Sequence, residues 1–162
     1  MNATSTASHP LPQPIPLHPA PPDVASIGLR AGGYLIDLLP ALVLALPSLI
    51  PIIGWMATGF LTLPYWLLRD IRAASLGKLA VRTRVVMKDG SPALAKALIL
   101  RNLPLALAPA FLILPVIGPF LAGPCGFIVI ATETIFIFTQ GERVGDRIAG
   151  TKVMQMQPGA AR

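Results

Sequence analysis

The chain has 162 residues, 54% of them hydrophobic and only 12% charged, with a net charge of +6. A soluble domain carries about twice that share of charge, and one of this size has too much surface to cover with so few charged side chains. An ordinary water-soluble globule is therefore excluded, and the single Cys125 excludes a disulfide framework or a cysteine metal cluster.

Residues 1–25 hold seven prolines between Pro10 and Pro22. They lack the basic start and continuous apolar stretch of a signal peptide. The composition predicts a disordered, partly polyproline-II tail. It suits a proline-binding groove, but a plain tail is the ordinary reading.

Two apolar blocks follow. In residues 31–68 the only formal charge is Asp37, and in residues 103–139 it is Glu133. Each block is close to twice the roughly 20 residues needed for one membrane span, and each has Pro and Gly near its middle. The pattern predicts an all-α integral membrane protein: a four-helix transmembrane bundle of two hairpins with a small cytoplasmic β element. The spans are expected over residues 31–47, 52–68, 103–121 and 124–139, within one unit of residues 26–156 followed by a flexible 157–162 tail. Trp55 sits near one expected interface, and Tyr65 and Trp66 near the other, as aromatic belts require. The first turn falls on Pro47, Pro51 and Gly54, and the second between Gly118 and Gly126.

The thirteen Lys and Arg residues lie at the start of the first span, in the central polar stretch 69–102, or in the C-terminal region, and neither hairpin turn carries one. Four spans bring all these regions to one side, and the positive-inside rule makes that side cytoplasmic. The expectation is a multi-pass protein of a bacterial cytoplasmic membrane with both termini inside. Within the central stretch, residues 73–79 suit a short interfacial helix. Residues 81–87 are rich in β-branched side chains and run to Asp89-Gly90, a turn signal. Residues 151–156 form a second β-like run. Neither can stand alone with its backbone unpaired, so the two are expected to pair beneath the membrane. A weak internal repeat is also visible. Arg30 and Arg101 open the two hairpins, and Ser75-Leu76-Gly77-Lys78 and Ile148-Ala149-Gly150-Thr151 close them, which implies an axis along the membrane normal.

These residues carry a family resemblance. The run Gly28-Leu29-Arg30-Ala31-Gly32-Gly33-Tyr34-Leu35-Ile36-Asp37 resembles the opening of the RDD family of membrane proteins, named for one Arg and two Asp. Ser75-Leu76-Gly77-Lys78, Arg84-Val85-Val86, Asp89-Gly90-Ser91-Pro92 and Arg101-Asn102 are similar to its middle segments. Arg143-Val144-Gly145-Asp146-Arg147-Ile148-Ala149-Gly150-Thr151 resembles its closing motif. The resemblance covers residues 28–153 and implies Arg30, Asp37 and Asp146 as the motif residues. The family usually has His just before the second Asp; Gly145 stands there, so any role of that His is absent. The family's function is loosely defined: transport of an unknown ligand, cation/proton antiport and membrane scaffolding are what the resemblance implies.

Ionisable groups within a bilayer are costly and usually functional. Asp37 lies seven residues past Arg30, and Glu133 seven before Gln140, so both are expected roughly 10 Å deep in the same leaflet. Two carboxylates at one depth can share a proton or hold a cation. Pro40 frees the Ile36 carbonyl beside Asp37. Thr132 and Thr134 flank Glu133, and such oxygen ligands suit hard cations like Na⁺. The plainer reading is structural. Arg30, Arg101 and Asp146 form a charge cluster at the inner interface that locks the tail to the bundle, and Arg101 can reach inward to Asp37. Gly28, Gly32 and Gly33 allow a second helix to approach closely. The basic central stretch, with Arg69, Arg72, Lys78 and Arg82, lacks interleaved aromatics, so anionic lipid head groups suit it better than nucleic acid. Leu76-Gly77-Lys78 lacks the upstream Gly of a phosphate loop. His9 and His18 have no partner at ligand spacing. No nucleophile–base arrangement, metal site or cofactor motif is present, so an enzyme is not expected. Two function classes remain: a transporter exchanging a monovalent cation for protons, which at four spans would need to be a homo-oligomer, or a structural or assembly scaffold in the membrane.

Overall fold

Ser26 starts the first helix. Its hydroxyl accepts the Leu29 N–H at 3.3 Å, satisfying one of the free donors at a helix start, and α1 runs Ile27–Leu44. The computed structural model describes residues 24–156; the remaining residues, which include most of the proline-rich segment and the final tail, lie outside it. The unit begins slightly earlier than expected. The Ala25 N–H donates to the Val153 carbonyl at 3.0 Å, so residues 24 and 25 belong to the folded part.

After α1 a 3-10 turn over Leu46–Leu49, with Pro47 inside it, leads to α2, Ile53–Leu68. A one-turn helix α3, Leu76–Ala80, is capped by Ser75 and feeds strand β1, Thr83–Met87. Helix α4 is Ala95–Leu100 and α5 is Leu103–Leu112. Arg101 and Asn102 between them keep helical angles. Pro104 supplies no N–H for the next helical bond, which explains the break. Helix α6 runs Gly118–Gln140 and stops where Gly141 turns left-handed at φ 69°, as helix ends commonly do. Helix α7, Val144–Ala149, and strand β2, Thr151–Gln155, complete the order.

The described residues are thus mostly helical, with one two-stranded antiparallel sheet. The expected pairing of the two β-rich runs is present: Thr83 faces Gln155, Val85 faces Val153 and Met87 faces Thr151. Among the described residues two helices, α1 and α6, are long and apolar enough to cross a membrane; α2 and α5 are apolar but shorter. The second hairpin turn differs from expectation. It lies at residues 113–117, ahead of Gly118, and Pro124 sits inside α6. Pro119 occupies the first turn of α6, where its missing N–H costs nothing. Leu114-Pro115 makes the turn in the way Leu46-Pro47 makes the first.

That likeness extends along the whole chain. Advancing each element of the first half by 68 residues carries α1 onto α4 and α5 together, and the 3-10 turn onto the second turn. It also carries α2 into α6, α3 onto α7, and β1 onto β2. The sheet pairs Val85 with its own counterpart Val153, as a local two-fold axis through that pair requires. The close approaches repeat too. A Cβ on Gly77 would overlap the Gly33 carbonyl, and one on Gly145 would overlap the carbonyl of Arg101, the counterpart of Gly33. The tandem repeat is therefore present, but in another register than the motifs suggested: Gly77 corresponds to Gly145 rather than Gly150, and Arg101 to Gly33 rather than Arg30.

The helices obey this symmetry unevenly. Helix α5 packs along α2 on one side and α6 on the other, whereas α1 packs chiefly on α3, touches α2 sparsely and has no comparable packing against α6. At the closed α2–α5 seam, Gly59 brings its backbone against Pro109 and Ile113. The counterpart of Gly59 is Phe127, whose bulky ring is 75% exposed.

Candidate functional site

The open α1–α6 seam leads to a cavity of about 230 Å³ where α1, α6, α3 and the two strands meet. Asp37 and Glu133 both line it, and both side chains are buried. They point inward, as a carboxylate in an apolar block must. They do not pair with each other. Asp37 Oδ2 accepts the Ser75 hydroxyl at 2.5 Å, and Oδ1 accepts the Gly77 N–H at 2.7 Å. Arg69 approaches Oδ2 at 3.5 Å while its guanidinium lies over the rings of Trp66 and Tyr34, 4.7 and 5.5 Å from their centroids. Tyr65 donates to the Asp37 backbone carbonyl at 2.5 Å. Glu133 accepts Arg143 Nε at 3.0 Å and the Gly145 N–H at 3.3 Å.

The two carboxylates thus occupy matching seats. Gly77 and Gly145 are repeat counterparts, as are Ser75 and Arg143; Gly77 with Ser75 gives Asp37, and Gly145 with Arg143 gives Glu133, one backbone and one side-chain donor. The carboxylates come from different helices, Asp37 from the first helix of its half and Glu133 from the second helix of the other. Matched depth was readable from spacing. Which way each helix turns its carboxylate around the bundle was not, because it depends on α3 and α7 tucking under their own halves.

A second group of charges lies behind the cavity wall. Asp70, fully buried, accepts Lys78 Nζ at 2.7 Å and Asn102 Nδ2 at 3.3 Å, with Arg101 Nη1 at 3.9 Å. Arg101, also fully buried, reaches Asp146 with Nη2 at 2.7 Å from Oδ1, and Asp146 accepts the Thr151 hydroxyl at 3.0 Å. One guanidinium therefore joins the first half, through Asp70, to the second, through Asp146. The expected Asp146–Arg101 contact is present. Arg30 instead donates to the Gly141 carbonyl at 2.7 Å. Arg101 does not reach Asp37; Arg69 does.

Asp70 and Asn102 were not expected at the site. Asp70 stands at the end of an apolar block among basic residues and reads as a loop charge. Its one sequence signal is that Asp70 and Arg101 flank the polar stretch from opposite ends. Two of the residues expected to face lipid head groups are also placed elsewhere. Arg69 and Lys78 are buried with their carboxylates, whereas Arg72 and Arg82 are exposed.

Burial opposes ionisation of Asp70, but the fields of Lys78, Arg101 and Arg69 outweigh it and hold its carboxyl well below the usual range. Burial lowers Lys78 to about 8, against the opposing attraction of Asp70. Burial likewise opposes the charge on Arg143, but Glu133 and Asp146 overcome it and raise its pKa.

The balance of hydrogen bonding is lopsided. Among the described residues the buried side-chain atoms without a hydrogen-bond partner are Nε of Arg30, Arg69 and Arg101, both terminal nitrogens of Arg101, Nη2 of Arg143, and a single acceptor, Oδ1 of Asn102. The Arg101 Nη2–Asp146 contact is close enough for a strong ion pair but is not aligned as a hydrogen bond, so both descriptions hold. The site has donors to spare and almost no acceptors.

Comparison with family models, curated proteins and solved structures returns no match.

Proposed function

We propose that the chain is a four-span membrane protein of the RDD type, with both termini and the central segment cytoplasmic, acting as a structural or assembly scaffold. The observation that carries this reading is the occupancy of its buried charges. Asp37 and Glu133 each already hold a backbone N–H and a side-chain donor, and Arg101 ties the two halves together through Asp70 and Asp146. Charges spent on internal partners fix a fold rather than shuttle ions. The four-span arrangement is supported by the repeat. If α1 and α6 span, their hairpin partners α2 and α5 return to the same side, where the sheet pairs. Arg72, Arg82 and Arg84 are exposed on the segment this topology puts at the inner surface, where anionic head groups lie. The RDD resemblance supports the same reading, and its departure at Gly145 has a local reason, since a side chain there would meet the Arg101 carbonyl.

Exchange of a monovalent cation for protons is the second reading. It has one observation in its favour, that Asp37 and Glu133 line the same cavity. The experiment that separates the two is a proton-flux assay in proteoliposomes with Na⁺, K⁺ or Li⁺, comparing the natural chain with Asp37→Asn. The scaffold reading expects no cation-dependent flux from either. Flux that the natural chain shows and the variant lacks would establish transport. Reporters after Arg162 and near Asp23 are expected inside, and one near Ile53 outside; either terminus outside would overturn the topology.

A further inference from the structure

The cavity at the α1–α6 seam combines two features that neither reading uses. Its wall is mostly apolar, with Ile130, Thr134 and Phe138 of α6 facing Ile27 and Tyr34 of α1, and Ile27, Ile130 and Phe138 are 43%, 55% and 71% exposed. Its inner end holds five cations, Arg30, Arg69, Lys78, Arg101 and Arg143, against the carboxylates of Asp37 and Glu133. Asp70 and Asp146, which pair with Arg101 from behind, still leave the cations in excess. The guanidinium donors without acceptors belong to four of the arginines that line this cavity. A buried donor with no acceptor is costly, and a cation would leave every one of them unsatisfied. An oxyanion satisfies several at once, because guanidinium matches the geometry of a phosphate. The seam is closed in its symmetry counterpart, where Gly59 lets α2 and α5 meet, and open here, where Phe127 stands in that place.

We propose that this seam is a binding site for one anionic phospholipid of the cytoplasmic leaflet, its phosphate among Arg69, Arg101 and Arg143 and an acyl chain along Ile130, Thr134 and Phe138. The site rests on the membrane reading above. The lipid enters sideways, because α1 does not pack against α6. It fills the gap that the repeat leaves between them, and so completes the ring of helices on its open side.

The test uses the full chain, purified in a neutral detergent, and thermal unfolding midpoints. Short-chain phosphatidylglycerol at about ten times its dissociation constant should raise the midpoint by roughly 3–6 °C. Phosphatidylcholine of the same chain length and inorganic phosphate should each raise it far less. Thr134→Trp, which fills the exposed wall and touches no charged partner, should remove most of the phosphatidylglycerol shift while leaving the lipid-free midpoint unchanged. Arg30→Gln, at the rim of the charged end, should reduce the shift. Equal shifts with phosphate and phosphatidylglycerol, unaffected by Thr134→Trp, would mean a small-anion site and overturn the lipid assignment. Equal shifts with both lipids, or none with either, would overturn it as well. Fractionation of cells expressing the chain separates the two levels. A chain in the membrane fraction that ignores phosphatidylglycerol sinks the lipid site alone, whereas a chain in the soluble fraction sinks the reading beneath it.

Discussion

Residues 75–87 and 143–155 have nearly the same structure: a short helix, a glycine pressed against a backbone carbonyl, and a strand that pairs with its own counterpart. Residues 53–68 and 121–136, at the same offset, do not. The first packs closely along α5 through Gly59, while the second carries Phe127 and leaves α1 standing apart. The two halves therefore kept their symmetry where backbone contacts and hydrogen bonds define the geometry, and lost it where only side-chain volume does. Their charges diverged too: the counterpart of Lys78 is Asp146, so equivalent positions carry opposite signs. Opposite charges let both seats join one network through Arg101, which two identical cations would not allow.

The largest effect is expected where the halves are joined. Arg101→Ala removes the cation between Asp70 and Asp146 and leaves both buried, though Lys78 still holds Asp70. Breaking a buried pair typically costs about 3–5 kcal/mol, so the unfolding midpoint in detergent should fall steeply. Arg101→Met should cost less than Arg101→Ala, because it keeps volume in a fully buried place. An unchanged midpoint would mean that the sheet and the α2–α5 seam hold the halves together without Arg101.

Next come the equivalent glycines. Gly77→Ala and Gly145→Ala each push a Cβ onto a backbone carbonyl, an overpacking that usually costs about 1–3 kcal/mol. The two costs should be similar if the halves are true structural counterparts. Gly123→Ala, with open space around its Cβ position, is the control and should stabilise slightly. Strongly unequal losses at Gly77 and Gly145 would break the comparison on the side where it looks best.

Acid should act through Asp70. Its folded-state carboxyl is held below the ordinary value of 3.8, so on acidification the unfolded chain takes up the proton first. The stability from Asp70 is present above about pH 4 and is lost as pH falls through the folded value. Asp70→Asn should flatten that acid limb of the melting profile. An equally steep limb in the variant would assign the acid loss to other carboxylates.

How much of this was legible follows from the kind of signal involved. Apolar blocks, basic flanks and β-branched runs are local patterns, and they gave the helices, the paired strands and the inward-facing carboxylates. The second turn differs from expectation because Gly118, Gly123, Pro124 and Gly126 look like a breaker cluster, yet a proline inside an apolar helix is tolerated and Leu114-Pro115 makes the turn instead. Asp37 and Glu133 line one cavity, but each takes its hydrogen bonds from its own donors, because depth follows from residue counting while the partners follow from tertiary packing. The repeat is visible in the sequence, but its basic residues do not mark its register, since Arg101 is the counterpart of Gly33. Glycines under close backbone contact, Gly77 and Gly145, were the better markers.

The smallest effect sharpens the comparison most. Phe127 occupies the place where Gly59 closes the other seam, and its ring is 75% exposed. If that ring stands outside any packed contact, Phe127→Ala removes little that the folded state uses. The expected change is within about 0.5 kcal/mol, measured as the unfolding midpoint in detergent. Gly59→Ala, by contrast, meets Ile113 N at 2.8 Å and the Pro109 carbonyl at 2.9 Å, and should cost as much as the equivalent glycines above. A large loss from Phe127→Ala would show that the ring is buried against α1 in solution. The seam would then be closed, and both the broken symmetry and the lipid site in it would fall together. A small loss leaves the seam open, with the two halves alike at their base and different along their helices.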